Sequence, residues 1–464
     1  MKVGYSAEEL ANWSGGEWRP NAPKKISGIS KDTRSLSKDN IYIALKGEKY
    51  DGHVFLGDAS DKGAAGLIVT RSYVDSVSDI SSDKCPILIV DDTRMALCDM
   101  AREYRRKVNP VMIGITGSAG KSTVKEMIAQ ILSKEFDTAS TKGNWNNDIG
   151  LPMSLLRMET SSEKGVFEVG MNHPGEIGAL CGILIPDWGV VTNIGPVHIG
   201  FFDSVEAIAE EKSSLLKALP KTGTAVLNMD DEYFGTLKAA VKSNLLTVSS
   251  GNDSDYTYVI IEQTGKVLVK EKFSGEEMIY KPTVPGVHNI INAMMAVAVA
   301  RGQGAGWDSI RSALEEFESL PMRWEEIQAG GIRFINDAYN ANPLSMKASI
   351  GAFEEEPAKG GKWLVLSGMK ELGRMERIEH VQLGEYVGEG DWAGIVVVGS
   401  SGEMIARGIR TTGFAQAKLH VCAANDGAVQ VLENNLQKGD AVLLKASRGM
   451  RLEEVVEVLK EKLT

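Results

Sequence analysis

The sequence predicts an α/β protein of three domains, with phosphate-binding chemistry in the middle one. Three observations carry this. At 464 residues the chain is long enough for about three domains. An apolar run, Val111 to Ile115, passes through a glycine-rich turn into a helical stretch, Val124 to Ser133, which is the strand–turn–helix order of a phosphate loop. Beyond residue 319, strands suggested at Arg333 to Ile335, Trp363 to Leu366, Ile395 to Val398, Lys418 to Val421 and Ala441 to Leu444 alternate with helical stretches. That alternation predicts a doubly wound, mostly parallel, Rossmann-like sheet. The expected units are residues 1–106, 107–318 and 319–464.

Composition narrows the class. Hydrophobic content of 43% and 24% charged residues are ordinary globular values, and a net charge of −11 argues against a general nucleic-acid binder. Cys85, Cys98, Cys181 and Cys422 are widely spaced and form no metal-spaced pair, so a reduced, cytoplasmic setting is expected. No secretory leader is visible at the start, and no run approaches the ~20 apolar residues of a membrane span.

In the first unit, Ser6 and Glu9 form a capping box. Asn40 to Leu45, Gly66 to Val69 and Pro86 to Val90 read as strands, and Asp92 to Arg106 as a helix ended by Val108-Asn109-Pro110. Asp32-Thr33-Arg34-Ser35 and the loop Lys46-Gly47-Glu48-Lys49-Tyr50-Asp51-Gly52-His53 are dense in turn residues.

The second unit opens on Gly114-Ile115-Thr116-Gly117-Ser118-Ala119-Gly120-Lys121-Ser122-Thr123. Free backbone N–H groups, the helix N-terminus and Lys121 favour an anion there, and the Ser122 hydroxyl suits a magnesium ion held by phosphates. The general pattern places its first glycine at Ile115; here Gly114 and Gly117 bracket that position. Thr141 and the amide-rich Asn144, Asn146 and Asn147 follow, either a plain loop or a ligand contact. Glu168 interrupts a second strand, Val166 to Met171, where a carboxylate oxygen suits magnesium. His198 follows the strand Asp187 to Thr192. In the helix Ser204 to Leu219, the spacing of Val205, Ile208, Lys212, Leu215 and Leu219 puts Lys212 on the apolar face. It is either a snorkelling lysine or a buried one with a partner or an altered charge. Asn228 to about residue 280 reads as β-rich. Asn289 and Asn292 share a face of the long apolar helix that follows, either for helix packing or for an adenine edge. In the third unit, Asp337, Tyr339, Asn340 and Asn342, with Ser447 and Arg448, sit at strand C-terminal ends, where ligands gather.

Taken together, Thr116 to Ser122, Asn144-Trp145-Asn146-Asn147, Glu168 to Glu176 and Asp337 to Met346 resemble the Mur ligases of bacterial cell-wall synthesis. The likeness spans nearly the whole chain, and within the family it points to the branch that joins D-alanyl-D-alanine to UDP-N-acetylmuramoyl-tripeptide. The resemblance implies an ATP- and Mg²⁺-dependent amide ligase acting through an acyl phosphate, and a monomer is expected. It implies that Lys121 and Ser122 hold the ATP phosphates and magnesium, that Glu168 and His198 ligate metal, and that Lys212, fourteen residues after His198, is carbamylated. Asn289, Asn292, Arg323 and Asp337 match nucleotide-contacting positions. Asp32, Arg34 and the loop from Gly47 to His53 match the region receiving the uridine nucleotide, and Thr141, Asn144 and Asn147 a substrate loop. Two departures stand out: Gly368, where the family often has aspartate, and Ala446, where it usually has glycine. The rival readings are a sibling ligase or a folylpolyglutamate synthase adding one amino acid, a phosphate-loop switch acting on a protein partner, and a non-catalytic relic.

Overall fold

The computed structural model describes residues 4–47, 50–74, 85–251 and 253–463. Within them lie three sheets. The first has five strands in the order Glu17–Arg19, Ile87–Val90, Gly66–Thr70, Asn40–Ile43, Gly28–Ser30, parallel except for the first. Its helix Thr93–Val108 is capped by Asp92, whose carboxylate accepts from Arg94 and Met95 N–H, and it ends on Asn109 in a left-handed conformation just before Pro110. The expected capping box is present: Glu9 N–H donates to Ser6 Oγ and Ser6 N–H to Glu9 Oε2. A buried arginine on the long helix, Arg105, donates to the carbonyls of Leu184 and Ile185 and pairs with Asp187 at 3.2 Å. One apolar cluster runs on from Leu97, Met100 and Tyr104 to Met112, Phe167 and Leu180, so the first unit is tied to the second by core as well as by charge.

The second sheet has nine strands, ordered Glu277–Tyr280, Lys266–Glu271, Tyr256–Ile261, Asn244–Ser249, Thr224–Asn228, Trp188–Val191, Val111–Thr116, Lys164–Glu168, Thr138–Ser140. The strand Val111–Thr116 is paired on both sides and wholly apolar but for Thr116, which is why its sequence reads as an unbroken run. The first three strands form an antiparallel extension. The stretch expected to be simply β-rich from Asn228 also holds a short helix, Phe234–Ala240, packed through Leu237.

In the third sheet, Glu325–Ala329 is an antiparallel edge on Ile332–Asn336. Ala441–Lys445, Lys362–Leu366, Gly394–Val398 and Leu419–Cys422 follow, all parallel. The expected strands are all present. The last strand in sequence, Ala441–Lys445, inserts between the first two parallel ones. This makes a switch point whose carboxyl ends carry Asp337 and Lys445 toward the central sheet.

Candidate active site

A cleft of about 1600 Å³ lies between the carboxyl ends of the second and third sheets and reaches the first at Lys46, Gly47 and Arg94. Its floor is the phosphate loop. The strand bearing that loop lies between Lys164–Glu168 on one side and Trp188–Val191 on the other, with the chain passing from one side of it to the other between them, so the turn after Thr116 opens into a crevice. Gly117 has φ 149° and Gly120 φ 81°. A Cβ on Gly117 would collide with Thr192, and one on Gly120 would lie 2.5 Å from Asn292 Oδ1. The loop's shape is set by the neighbouring strand end. Ser118 N–H donates to the Asn193 carbonyl at 2.9 Å, Ala119 N–H to Asn193 Oδ1 at 2.8 Å, and Thr192 Oγ1 to the Ala119 carbonyl. Lys121 begins the helix Lys121–Leu132, earlier than the expected Val124, and its ammonium donates to the Gly117 carbonyl at 2.6 Å. Burial pushes this ammonium down to about 8; Glu168 pulls the other way and Arg323 adds to the depression.

Beside the loop, Glu168 is 1% exposed at the end of its strand. Its Oε2 accepts from Asn146 Nδ2 at 3.2 Å, while its Oε1 is buried without a partner. Thr141 holds the backbone of Glu168 through Oγ1 and accepts a bond from buried Lys125 on its carbonyl. It is therefore a support under the carboxylate and does not line the cleft. Asn144, Asn146 and Asn147 do line it, with Asn147 Oδ1 capping the helix Gly150–Leu155 through Gly150 N–H. His198 lines the cleft too, in a left-handed conformation, its Nδ1 2.5 Å from Glu371 Oε2. Lys212 is 2% exposed, so it does not snorkel. Burial holds its ammonium well below the usual lysine range, with Lys121 pushing the same way.

Groups from the third sheet complete the cleft. Arg323 Nη2 donates to Ser122 Oγ at 3.0 Å, and its guanidinium lies over the Tyr339 ring at 4.2 Å. Asp337 accepts from Lys445 Nζ at 2.6 Å, Ser349 Oγ at 2.5 Å and Trp324 N–H at 3.2 Å. Asn342 caps the helix Pro343–Glu355 and reaches across to the Ser118 carbonyl at 3.4 Å; Asn340 stands exposed beside it on the cleft wall. Asn292 Nδ2 donates to Asn289 Oδ1, and Asn289 Nδ2 to the Pro285 carbonyl. With Asn292 against Gly120, this pair sits at the phosphate end of the cleft, and its buried amides are already partly satisfied by packing.

Several expected residues stand outside the cleft. Asp32 and Arg34 pair with each other at 2.7 Å on the surface of the first unit, which holds the Asp32 carboxyl down to about 2; Thr33 is buried beside them and Ser35 exposed. Gly47 reaches the cleft wall, while Glu48 and Lys49 of that loop lie outside the described residues. His53 is buried, with Nδ1 2.6 Å from Asp51, Nε2 accepting from Thr70 N–H, and the Tyr73 ring stacked on it at 4.0 Å. Tyr73 also donates to Asp51, and Gly52 is packed against the backbone of Leu45. These groups shape the loop from within and offer a ligand no free ring nitrogen. Ser447 accepts from Lys370 N–H and donates to the Ala341 carbonyl, and Arg448 pairs with Glu453. Both tie loops together at the sheet's edge. The departure at Gly368 has a physical reason, because a Cβ there would lie 2.6 Å from Ser401 Oγ and 2.9 Å from Met450 Cε.

Of the strand-end run Lys445-Ala446-Ser447-Arg448 expected to gather ligand, Lys445 lines the cleft. Sequence reasoning missed His288, which also lines it, and Glu371. Glu371, in a polar loop, carries no signal of its place.

Comparison with known proteins gives consistent matches. Residues 115–300 match the Mur ligase middle domain, and residues 322–448 the Mur ligase, glutamate ligase domain. The UDP-N-acetylmuramoyl-tripeptide--D-alanyl-D-alanine ligase of Bacillus subtilis (strain 168) is 35% identical over 437 residues, covering 94% of this chain and 93% of that protein. The protein of the same name from Escherichia coli (strain K12) is 33% identical over 472 residues, 99% of each. Among solved structures, MurF from Acinetobacter baumannii aligns with a TM-score of 0.88 at 28% identity over 99% of this chain and 100% of that one. MurF from Thermotoga maritima in complex with ADP aligns at 0.80 and 28%, covering 94% and 97%.

Proposed function

The chain belongs to the Mur ligase family, and on that premise we propose that it joins D-alanyl-D-alanine to UDP-N-acetylmuramoyl-tripeptide at the expense of ATP, in peptidoglycan synthesis. One observation carries the reading: the phosphate loop with Lys121, the orphaned Oε1 of Glu168, and Arg323 with Asp337 from the third sheet all face one cleft. A carboxylate is a poor electrophile because its leaving group would be oxide. ATP supplies the γ-phosphoryl group that turns the tripeptide carboxylate into an acyl phosphate, which the dipeptide amine displaces with loss of phosphate, and magnesium supplies charge to the phosphate oxygens. The chain's own work is positioning and charge neutralisation. Loop N–H groups and Lys121 cradle phosphate, and Arg323 adds charge from the opposite wall. No nucleophilic side chain is required.

The donor set suits a hard cation. Glu168 Oε1 is a buried oxygen with nothing to bond, Ser122 brings a hydroxyl, and His198 a ring nitrogen. No cluster of three or more His, Cys, Asp or Glu fit to hold a metal occurs among the described residues, so a further oxygen donor is wanted. Lys212 can provide it. Burial favours its neutral amine, which would add to carbon dioxide: an N–C bond forms, a proton leaves, and the carbamate carries the negative oxygens. The four cysteines are free, which supports a reduced, cytoplasmic setting, and we take the chain to act as a monomer. No helix among the described residues is long and apolar enough to cross a membrane.

The test is phosphate release with carboxylate and amine substrates supplied in pairs. Release is expected only with ATP, magnesium, the UDP-muramoyl-tripeptide and D-alanyl-D-alanine together. Equal turnover with glutamate and a folate, and none with the dipeptide, would overturn the reading.

A further inference from the structure

Beyond the phosphate loop, the second and third sheets meet at a second place. His198 Nδ1 lies 2.5 Å from Glu371 Oε2, close but out of line for a hydrogen bond, and no hydrogen bond to Nε2 forms among the described residues. The two loops touch backbone to backbone. Gly200 N–H donates to the Glu371 carbonyl at 3.0 Å, a Cβ on Gly373 would come within 2.7 Å of Gly200 Cα, and one on Gly200 within 2.9 Å of Gly373 N. His198, Glu371 and Gly373 all take left-handed conformations, at φ 55°, 65° and 51°, which two of the three residues adopt against their intrinsic preference. The Glu371 side chain is 44% exposed. The His198 side chain is 15% exposed and its Nδ1 is buried, so the carboxylate reaches in from the solvent side, and an ion pair with one such open partner adds modest stability.

We propose that Glu371 is a positioning residue for His198: docking of the third sheet brings its carboxylate to Nδ1 and turns Nε2 toward the metal. This rests on the reading of His198 as a metal ligand. A histidine ligand is ordinarily oriented by an acceptor on its other nitrogen. Here the carboxylate placed within reach to act as that acceptor comes from another sheet, so metal binding and docking of the two sheets would be coupled through one imidazole.

The experiment is Mn²⁺ binding to the full chain with ADP present, followed by electron paramagnetic resonance, with thermal unfolding as the folding control. Glu371→Ala is expected to weaken Mn²⁺ affinity about tenfold or more, as loss of such partners commonly does, with unchanged unfolding temperature. Glu371→Asp should recover part of the loss, a gradation that a merely structural role would not produce. His198→Asn is the reference for loss of the ligand itself. Weakening in His198→Asn with Glu371→Ala within twofold of the parent chain would overturn the positioning role alone. Unchanged affinity in His198→Asn would overturn the metal reading and the positioning role with it.

Discussion

At the scale of single residues, buried Lys212 and half-buried His288 on the cleft wall are two bases whose protonated forms the fold disfavours. Lys212 has no hydrogen-bond or ion-pair partner among the described residues, a costly arrangement unless the group changes its chemistry. If carbamylation is its use, Lys212→Ala should lower phosphate release roughly 100-fold or more, on the order of losing one essential charge contact, and a small carboxylate in the buffer should restore part of it. Lys212→Arg, which can neither be carbamylated nor offer oxygen, should stay inactive; high activity in that variant would end the idea. His288 lies near Asp337 and Lys445, and burial pushes its imidazole down to about 4. The unfolded chain protonates this ring near ~6.5. Between those values the unfolded state holds a proton that the folded state lacks. Stability therefore falls as pH drops from ~6.5 to ~4, by up to ~3 kcal/mol, and is untouched above ~6.5. His288→Gln should flatten that window. Urea midpoints measured near pH 7 and pH 4.5 are the check, and an equal loss in the variant would contradict it.

At the scale of elements, the glycines of the second meeting point make a sharp test. Gly373→Val places a β-branched residue at φ 51° and drives its Cβ into Gly200. The variant should fold with a loss of about 1–2 kcal/mol and lose at least tenfold in turnover, whereas Gly235→Ala, with open space around it, should do neither. Equal turnover in both would mean that this contact is idle. The same contrast separates what the sequence reveals from what it hides. Four of the five strands expected in the third unit were legible because they are largely buried and mostly apolar; the fifth, Leu419–Cys422, is a part-exposed edge strand read from its place in the alternation. The phosphate loop and the inward Lys212 were legible because their information is local, a spacing along one turn or one helix face. The helix Phe234–Ala240 was not, being seven residues with one buried side chain and no side-chain cap. The loop ending at His53 reads as a substrate contact in the sequence, and the inward role of His53 is hidden there because its partners, Thr70 and Tyr73, are 17 and 20 residues away and meet it only in the fold. Ser447 and Arg448 were placed with the ligand because strand ends gather ligands in general. Which strand-end side chains turn inward depends on register, and here Lys445 does.

At the scale of the whole molecule, the question is what holds the second and third sheets around the nucleotide. The connection from the helix Trp307–Glu315 to the strand Glu325–Ala329 carries two left-handed residues that are not glycine, Met322 at φ 58° and Trp324 at φ 57°. Both are held by the third sheet: Trp324 N–H donates to Asp337, and the Met322 carbonyl accepts from Tyr339 N–H at 3.0 Å. Arg323 lies between them and reaches Ser122 across the cleft. This segment fixes the arginine to the third sheet, so a hinge in the link just before it, near Glu316 to Pro321, would carry the arginine with that sheet. The polar contacts across the cleft are Arg323 to Ser122, Asn342 to Ser118 and Glu371 to Gly200, and behind them one apolar cluster runs from Ile290 and Met294 to Met346, Ile350 and Phe353; ligands that bridge the walls should favour the docked arrangement by their own contacts. Small-angle scattering should then report a smaller radius of gyration with a nonhydrolysable ATP analogue plus the uridine substrate than with neither. Gly373→Val should shrink less under the same ligands, because one of the contacts it must remake is blocked. Docking also excludes water from the acyl phosphate, so the variant should release more phosphate per amide bond formed. A radius that does not change on ligand binding, together with full turnover in a chain whose two sheets are disulfide-locked apart, would rule the closure out.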